Sequence, residues 1–165
     1  MALNLKTVAP KNRRSLLESL LAVGRIRGVQ DYLFADSRGT ILARKPGSNL
    51  KDDMAIACAR DIAQERQILS LLSPPDGNER VFDFRFEGGL LMVWDFGSSY
   101  LLALCGEDAN PSIARMTINV IKEELKRDKR FKGYFVPTAA PDCSLLSEQD
   151  LGSELSKHLA ALKQK

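Results

Sequence analysis

Residues 28–43 read Gly28-Val29-Gln30-Asp31-Tyr32-Leu33-Phe34-Ala35-Asp36-Ser37-Arg38-Gly39-Thr40-Ile41-Leu42-Ala43. The first half is rich in the strand formers Val29, Tyr32, Leu33 and Phe34. Asp36-Ser37-Arg38-Gly39 is a turn signal, because Asp bonds its own backbone and Gly39 is free to take a positive φ. Thr40 to Ala43 reads as the returning strand. The stretch therefore predicts a β-hairpin.

The elements on either side follow from periodicity. Upstream, Leu16, Leu17, Leu20 and Leu21 recur at helical spacing behind Pro10 and Asn12, which predicts a helix over residues 12–23. Downstream, Pro46 and Gly47 mark a loop and Asn49 is an expected N-cap. Asp52 and Asp53 sit where a helix dipole favours acids. A long helix is expected over 50–72, with the stripe Met54, Cys58, Ile62, Leu69 and Leu72. Its small residues Ala55, Ala57, Ala59 and Ala63 would let another helix come close. Pro74-Pro75-Asp76-Gly77 ends it.

Residues 81–87 alternate, with Phe82, Phe84 and Phe86 on one face and Asp83, Arg85 and Glu87 on the other. Gly88-Gly89 is a hairpin turn. Residues 90–96 and 100–105 are nearly all apolar, as strands covered on both faces are. Asn110-Pro111 then opens a helix running to about residue 126, with Ile113, Thr117, Val120, Ile121 and Leu125 expected inward. A basic run of Lys126, Arg127, Lys129, Arg130 and Lys132 closes it. Residues 12–127 read as one domain and 128–165 as a C-terminal extension. In that extension Leu151, Leu155, Leu159 and Leu162 line one side of a short amphipathic helix.

Composition excludes several classes. A net charge of +3 is too small to recruit nucleic acid by itself, and the apolar runs are too short for a membrane span. The N-terminus has no apolar signal-peptide core. Cys58, Cys105 and Cys143 are an odd, scattered set with no C-x-x-C, so neither zinc nor a disulfide framework is indicated. Free thiols fit a cytoplasmic location. No phosphate-binding loop of the G-x-x-x-x-G-K-[ST] type is present, so the chain is not expected to be a GTPase itself. The only histidine, His158, lies in the extension and reads as a surface residue, which leaves no triad and no histidine-ligated metal. Asp36 is explained as a turn residue and Asp83 as part of a solvated face. Asp31 and Asp95 have apolar neighbours and need partners. No catalytic residue, cofactor or metal is expected.

The order helix, two strands, long helix, three strands, helix resembles the roadblock/dynein light chain family of the longin-like superfamily. The resemblance is carried by the Gly28–Ala43 hairpin with its D-x-x-G turn, by the alanine-rich helix from Met54, and by the hairpin from Gly89 to Cys105 with the helix capped at Asn110. It resembles a bacterial-type member with a C-terminal extension. The implied fold is α/β, an α+β sandwich with a five-stranded antiparallel sheet, plus a C-terminal helix.

The implied function is a non-catalytic homodimeric protein-binding module, a regulator or scaffold of a small Ras-like GTPase. An adaptor in a multiprotein signalling or motility complex without a GTPase, and a small-molecule sensor, are the alternatives. The resemblance implies pairing through strand 81–87 and helix 50–72. Ala55, Cys58, Ala59, Ile62, Phe82, Phe84 and Phe86 are therefore the candidate dimer residues. Arg60 and Arg66, the residue type a regulator can offer to a partner's phosphates, and Leu151, Leu155 and Leu159 are candidates for a partner surface.

Overall fold

A computed structural model describes residues 10–72 and 80–137. The elements are α1 (Pro10–Leu20), a 3-10 turn (Val23–Arg25), β1 (Val29–Asp36), β2 (Ile41–Arg44), α2 (Asp52–Leu72), β3 (Arg80–Phe86), β4 (Gly89–Asp95), β5 (Ser99–Gly106), α3 (Pro111–Arg127) and a 3-10 turn (Lys132–Phe135). The five strands form one antiparallel sheet in the order β2-β1-β5-β4-β3. β5 is the middle strand, flanked by β1 and β4, and it is buried on both faces along nearly its whole length.

The opening hairpin forms as expected. Asp36 Oδ1 accepts from the Arg38 and Thr40 backbone N–H groups at 2.9 Å each, and Gly39 N–H bonds Asp36 O at 3.0 Å. Gly39 has φ +84°, and a Cβ there would lie 2.9 Å from Ala59 O and from Arg60 Cα on α2. The turn thus needs glycine twice, for its backbone and for the close approach of the helix. Gly39→Ala is expected to lower the unfolding free energy by about 1–3 kcal/mol, read as a lower urea midpoint with an unchanged slope.

Alternation along the strands splits the core into two layers. Tyr32, Phe34, Leu42, Met92, Trp94 and Leu101 face α1 and α3, while Leu33, Ala35, Ile41, Val93, Tyr100 and Leu102 face α2. On α2 the buried positions are Ala55, Ala59, Ala63 and Arg66, not the expected Met54 stripe. Met54 is 55% exposed. The sheet supplies the large side chains here, and the helix supplies small ones that let it lie close; the Tyr100 hydroxyl even donates to Ala59 O. The side chains of Leu69 and Leu72 lie outside the described residues. Asn49 does not cap α2. The helix starts at Asp52, and the Lys51 carbonyl accepts the first helical bond, from Ala55 N–H.

α3 is capped as expected, with Asn110 Oδ1 accepting from Ser112 and Ile113 N–H. Its inward face differs from expectation. Ala114, Ile118, Ile121, Lys122 and Leu125 are buried, while Ile113 and Val120 point outward. The helix carries two apolar stripes, and the longer one, continued by buried Phe131, is the one that covers the sheet.

The chain stays on the core beyond α3. Phe131 is 1% exposed, and Tyr134 and Phe135 pack around Phe34 and Phe96 with ring centroids 5.3–6.4 Å apart. Ser98 Oγ donates to Gly133 O and Ser98 N–H to Val136 O. Residues 131–136 therefore pack against the core formed by the sheet, α1 and α3.

Candidate protein-interaction surface

The β3 edge is the most open part of the sheet. β3 pairs only with β4 among the described residues, from Arg80 opposite Asp95 to Phe86 opposite Gly89. Its outer N–H and C=O groups face away from the sheet, an arrangement that invites another strand. Phe82 packs with the α2 layer. By the period of two, Phe84 and Phe86 share that face, but they run past the cover of the helix and are 37% and 50% exposed. Phe86 also fills the space in front of Gly89, where a Cβ would lie 2.7 Å from its ring.

α2 extends this surface. Met54, Cys58 and Ile62 are spaced four apart and share one flank of the helix. Cys58 and Ile62 are partly buried against the sheet layer that also holds Phe82. Burial first, and Asp61 second, push the Cys58 thiol above its ordinary pKa. Of the candidate dimer residues, the structure thus gathers Cys58, Ile62, Phe82, Phe84 and Phe86 on one face of the sheet. Ala55 and Ala59 are 0% exposed and are spent on packing against their own sheet.

The two arginines separate. Arg60 is exposed. Arg66 is 5% exposed and cannot reach a partner. Its Nη2 donates to Asp95 Oδ1 and, at 2.6 Å, to Gly97 O, and its guanidinium lies 4.8 Å from the centre of the Tyr100 ring. Asp95 Oδ1 also accepts from Gly97 N–H at 2.9 Å. Asp95 thus has the partner that its apolar surroundings require. Asp31 is likewise engaged, accepting from the Ser48 hydroxyl and Tyr32 N–H. Leu151, Leu155, Leu159 and His158 lie outside the described residues.

Sequence reading missed a second exposed patch. Ile113, Met116 and Val120 on α3 are 55%, 71% and 60% exposed and follow helical spacing. The signal was present as two overlapping apolar stripes, but periodicity alone does not say which stripe faces the sheet.

Among the described residues, no group of three or more His, Cys, Asp or Glu is placed to hold a metal ion, and no helix is long and apolar enough to cross a membrane. A cleft of about 270 Å³ lies beside the β3–β4 turn, lined by Arg85, Phe86, Leu90, Glu107 and Pro111 among others.

A five-stranded antiparallel sheet with α2 on one face and α1 and α3 on the other, open along β3, is an α+β sandwich. No protein-family model matches the chain, and no curated protein matches it. Among solved structures it is similar to the gliding protein MglB of Thermus thermophilus, at 25% identity over 75% of this chain and 92% of that one, with a TM-score of 0.57. An MglB described in a tetrameric arrangement matches at 22% identity over 76% and 93%, with a TM-score of 0.61. A roadblock/LC7 domain from Streptomyces avermitilis matches at 15% identity over 68% and 93%, with a TM-score of 0.56. The chain therefore has the roadblock/longin-like fold, as its opening hairpin and element order foretold.

Proposed function

We propose that this chain is a non-catalytic homodimeric module that regulates or scaffolds a small Ras-like GTPase. The observation that carries the reading is the unpaired β3 edge with Phe84 and Phe86 standing out of it, flanked by Met54, Cys58 and Ile62 of α2. Two copies related by a two-fold axis would pair β3 with β3 and continue the sheet, while the α2 flanks close over the phenylalanines. The similarity to the gliding protein MglB of Thermus thermophilus supports a motility setting for the dimer. An adaptor working without a GTPase would use the same dimer.

The test has two parts. Sedimentation of the wild-type chain is expected to give twice the chain mass, and Phe84→Asp with Phe86→Asp the mass of one chain. Both side chains are exposed, so the variant is expected to keep the wild-type circular dichroism spectrum. A wild-type monomer, or a variant that remains a dimer, rejects this edge as the interface. Affinity capture is then run with GDP and with a non-hydrolysable GTP analogue. A small GTPase enriched in one nucleotide state supports the regulator, whereas partners indifferent to nucleotide favour the adaptor.

A further inference from the structure

The basic run after Leu125 is only partly explained by the helix that it closes. Lys126 and Arg127 lie in the last turn of α3, where cations offset the helix dipole. Asp128 caps the helix, and Lys129, Arg130 and Lys132 follow the cap. The dipole acts only within the last turn, so these three need another cause. Arg130 has one, since its Nε donates to Asp128 Oδ1 at 2.9 Å and its Nη2 to Ser15 Oγ of α1 at 2.9 Å. Arg127, Lys129 and Lys132 are exposed and make no ion pair among the described residues.

The fold gathers this charge at one end of the molecule. Lys132 follows buried Phe131, and Gly133 and Val136 are bonded to Ser98 in the β4–β5 turn. The Ser98 carbonyl accepts from Ser37 N–H of the β1–β2 turn at 2.9 Å, which brings exposed Arg38 to the same end. Arg38 also has no ion pair among the described residues. The neighbouring acids are largely engaged. Asp36 accepts from its own turn, Asp128 holds Arg130, and Glu123 lies 3.6 Å from Lys126. That leaves Glu124, exposed on α3, against four cations. We infer that this end, through Arg38, Arg127, Lys129 and Lys132, docks on the surface of a bilayer rich in anionic phospholipid.

Three observations favour lipid headgroups over other polyanions. The cations stand on a helix end and on turns, and a fluid headgroup layer rearranges to meet charges so placed. Nucleic-acid bases call for exposed aromatic rings. Here Phe131 is 1% exposed, and Tyr134 and Phe135 pack into the core. A protein partner calls for an apolar centre that the interface buries. The apolar groups beside these cations are Val136, 53% exposed, and Pro137, which suit the shallow interfacial layer of a bilayer. Each cation near an anionic surface strengthens binding about fivefold, so four give a preference of several hundredfold over a neutral bilayer. The attachment is electrostatic, and salt weakens it.

Flotation of the full chain with lipid vesicles tests this. Phosphatidylcholine vesicles with about 30% phosphatidylserine are compared with phosphatidylcholine alone, at about 0.1 M salt. The wild type is expected to float with the anionic vesicles only. Arg127→Gln/Lys129→Gln/Lys132→Gln is expected to bind them about a hundredfold more weakly. The control is Arg25→Gln/Arg27→Gln/Arg85→Gln, which removes equal charge at the other end of the sheet. There Gly28 O accepts from Gly106 N–H, and Arg85 and Gly106 line one cleft. All six side chains are exposed, so both variants are expected to keep the wild-type circular dichroism spectrum. The control should bind as the wild type does.

No flotation with anionic vesicles overturns the inference, as does equal flotation with neutral ones. Equal losses in the two variants overturn it too, because net charge and not this surface would then carry the binding. A single-stranded DNA oligonucleotide that strips the protein from the vesicles assigns the surface to nucleic acid and overturns the lipid reading.

Discussion

Asp95→Ala is expected to lower the unfolding free energy by about 3–5 kcal/mol, the cost of leaving one charge of a buried pair alone. The Arg66 and Asp95 side chains are only 6% and 5% exposed. In the variant the guanidinium keeps its bond to Gly97 O and its place over Tyr100, but nothing balances its charge. Asp95 also holds Gly97 N–H, so the β4–β5 turn loosens as well. A domain of this size is commonly stable by about 5–15 kcal/mol in total, so the loss is a large share. Urea unfolding followed by tryptophan fluorescence measures it, since buried Trp94 precedes Asp95 on β4. Arg66→Leu/Asp95→Leu is expected to recover most of the loss, because two apolar side chains remove both desolvation penalties. A double variant as unstable as the single one would show that the ion pair itself, and not the orphaned charge, carries the stability.

Phe131→Ala is the second large effect, expected at about 3–5 kcal/mol for a buried aromatic. The ring is 1% exposed and closes the layer between the sheet, α1 and α3. Its loss opens a cavity beneath the segment that Ser98 and Ser99 hold through the carbonyls of Gly133 and Tyr134. The control is Lys129→Ala two residues earlier, an exposed change expected to cost less than about 0.5 kcal/mol. If Phe131→Ala unfolded at the wild-type urea midpoint, residues 131–136 would be an appendage and not part of the body.

The fold was legible because its local signals agree with one another. The Asp36 to Gly39 turn, the alternation of β3, the apolar runs of β4 and β5 and the Asn110-Pro111 cap each name one element with little ambiguity. Their order then points to one architecture. The interaction surface was legible in part. The alternation of Phe82, Phe84 and Phe86 marks a shared face, but it does not say how far a helix covers that face.

The sequence by itself determined the order of the described elements from α1 to α3 and the absence of a phosphate-binding loop, since these depend on neighbours a few residues apart. Only the tertiary structure decided which flank of each helix turns inward. α2 presents alanines because the sheet brings Tyr100 and Leu102 to meet it, and α3 turns Ile113 and Val120 outward because Ala114 and Ile118 fit the sheet. It also decided that Arg66 is a buried partner of Asp95, 29 residues away, and not a surface arginine. The physical reason is the same in each case. Burial is a competition among side chains that meet only after the chain has folded, and periodicity records what a helix offers but not what faces it.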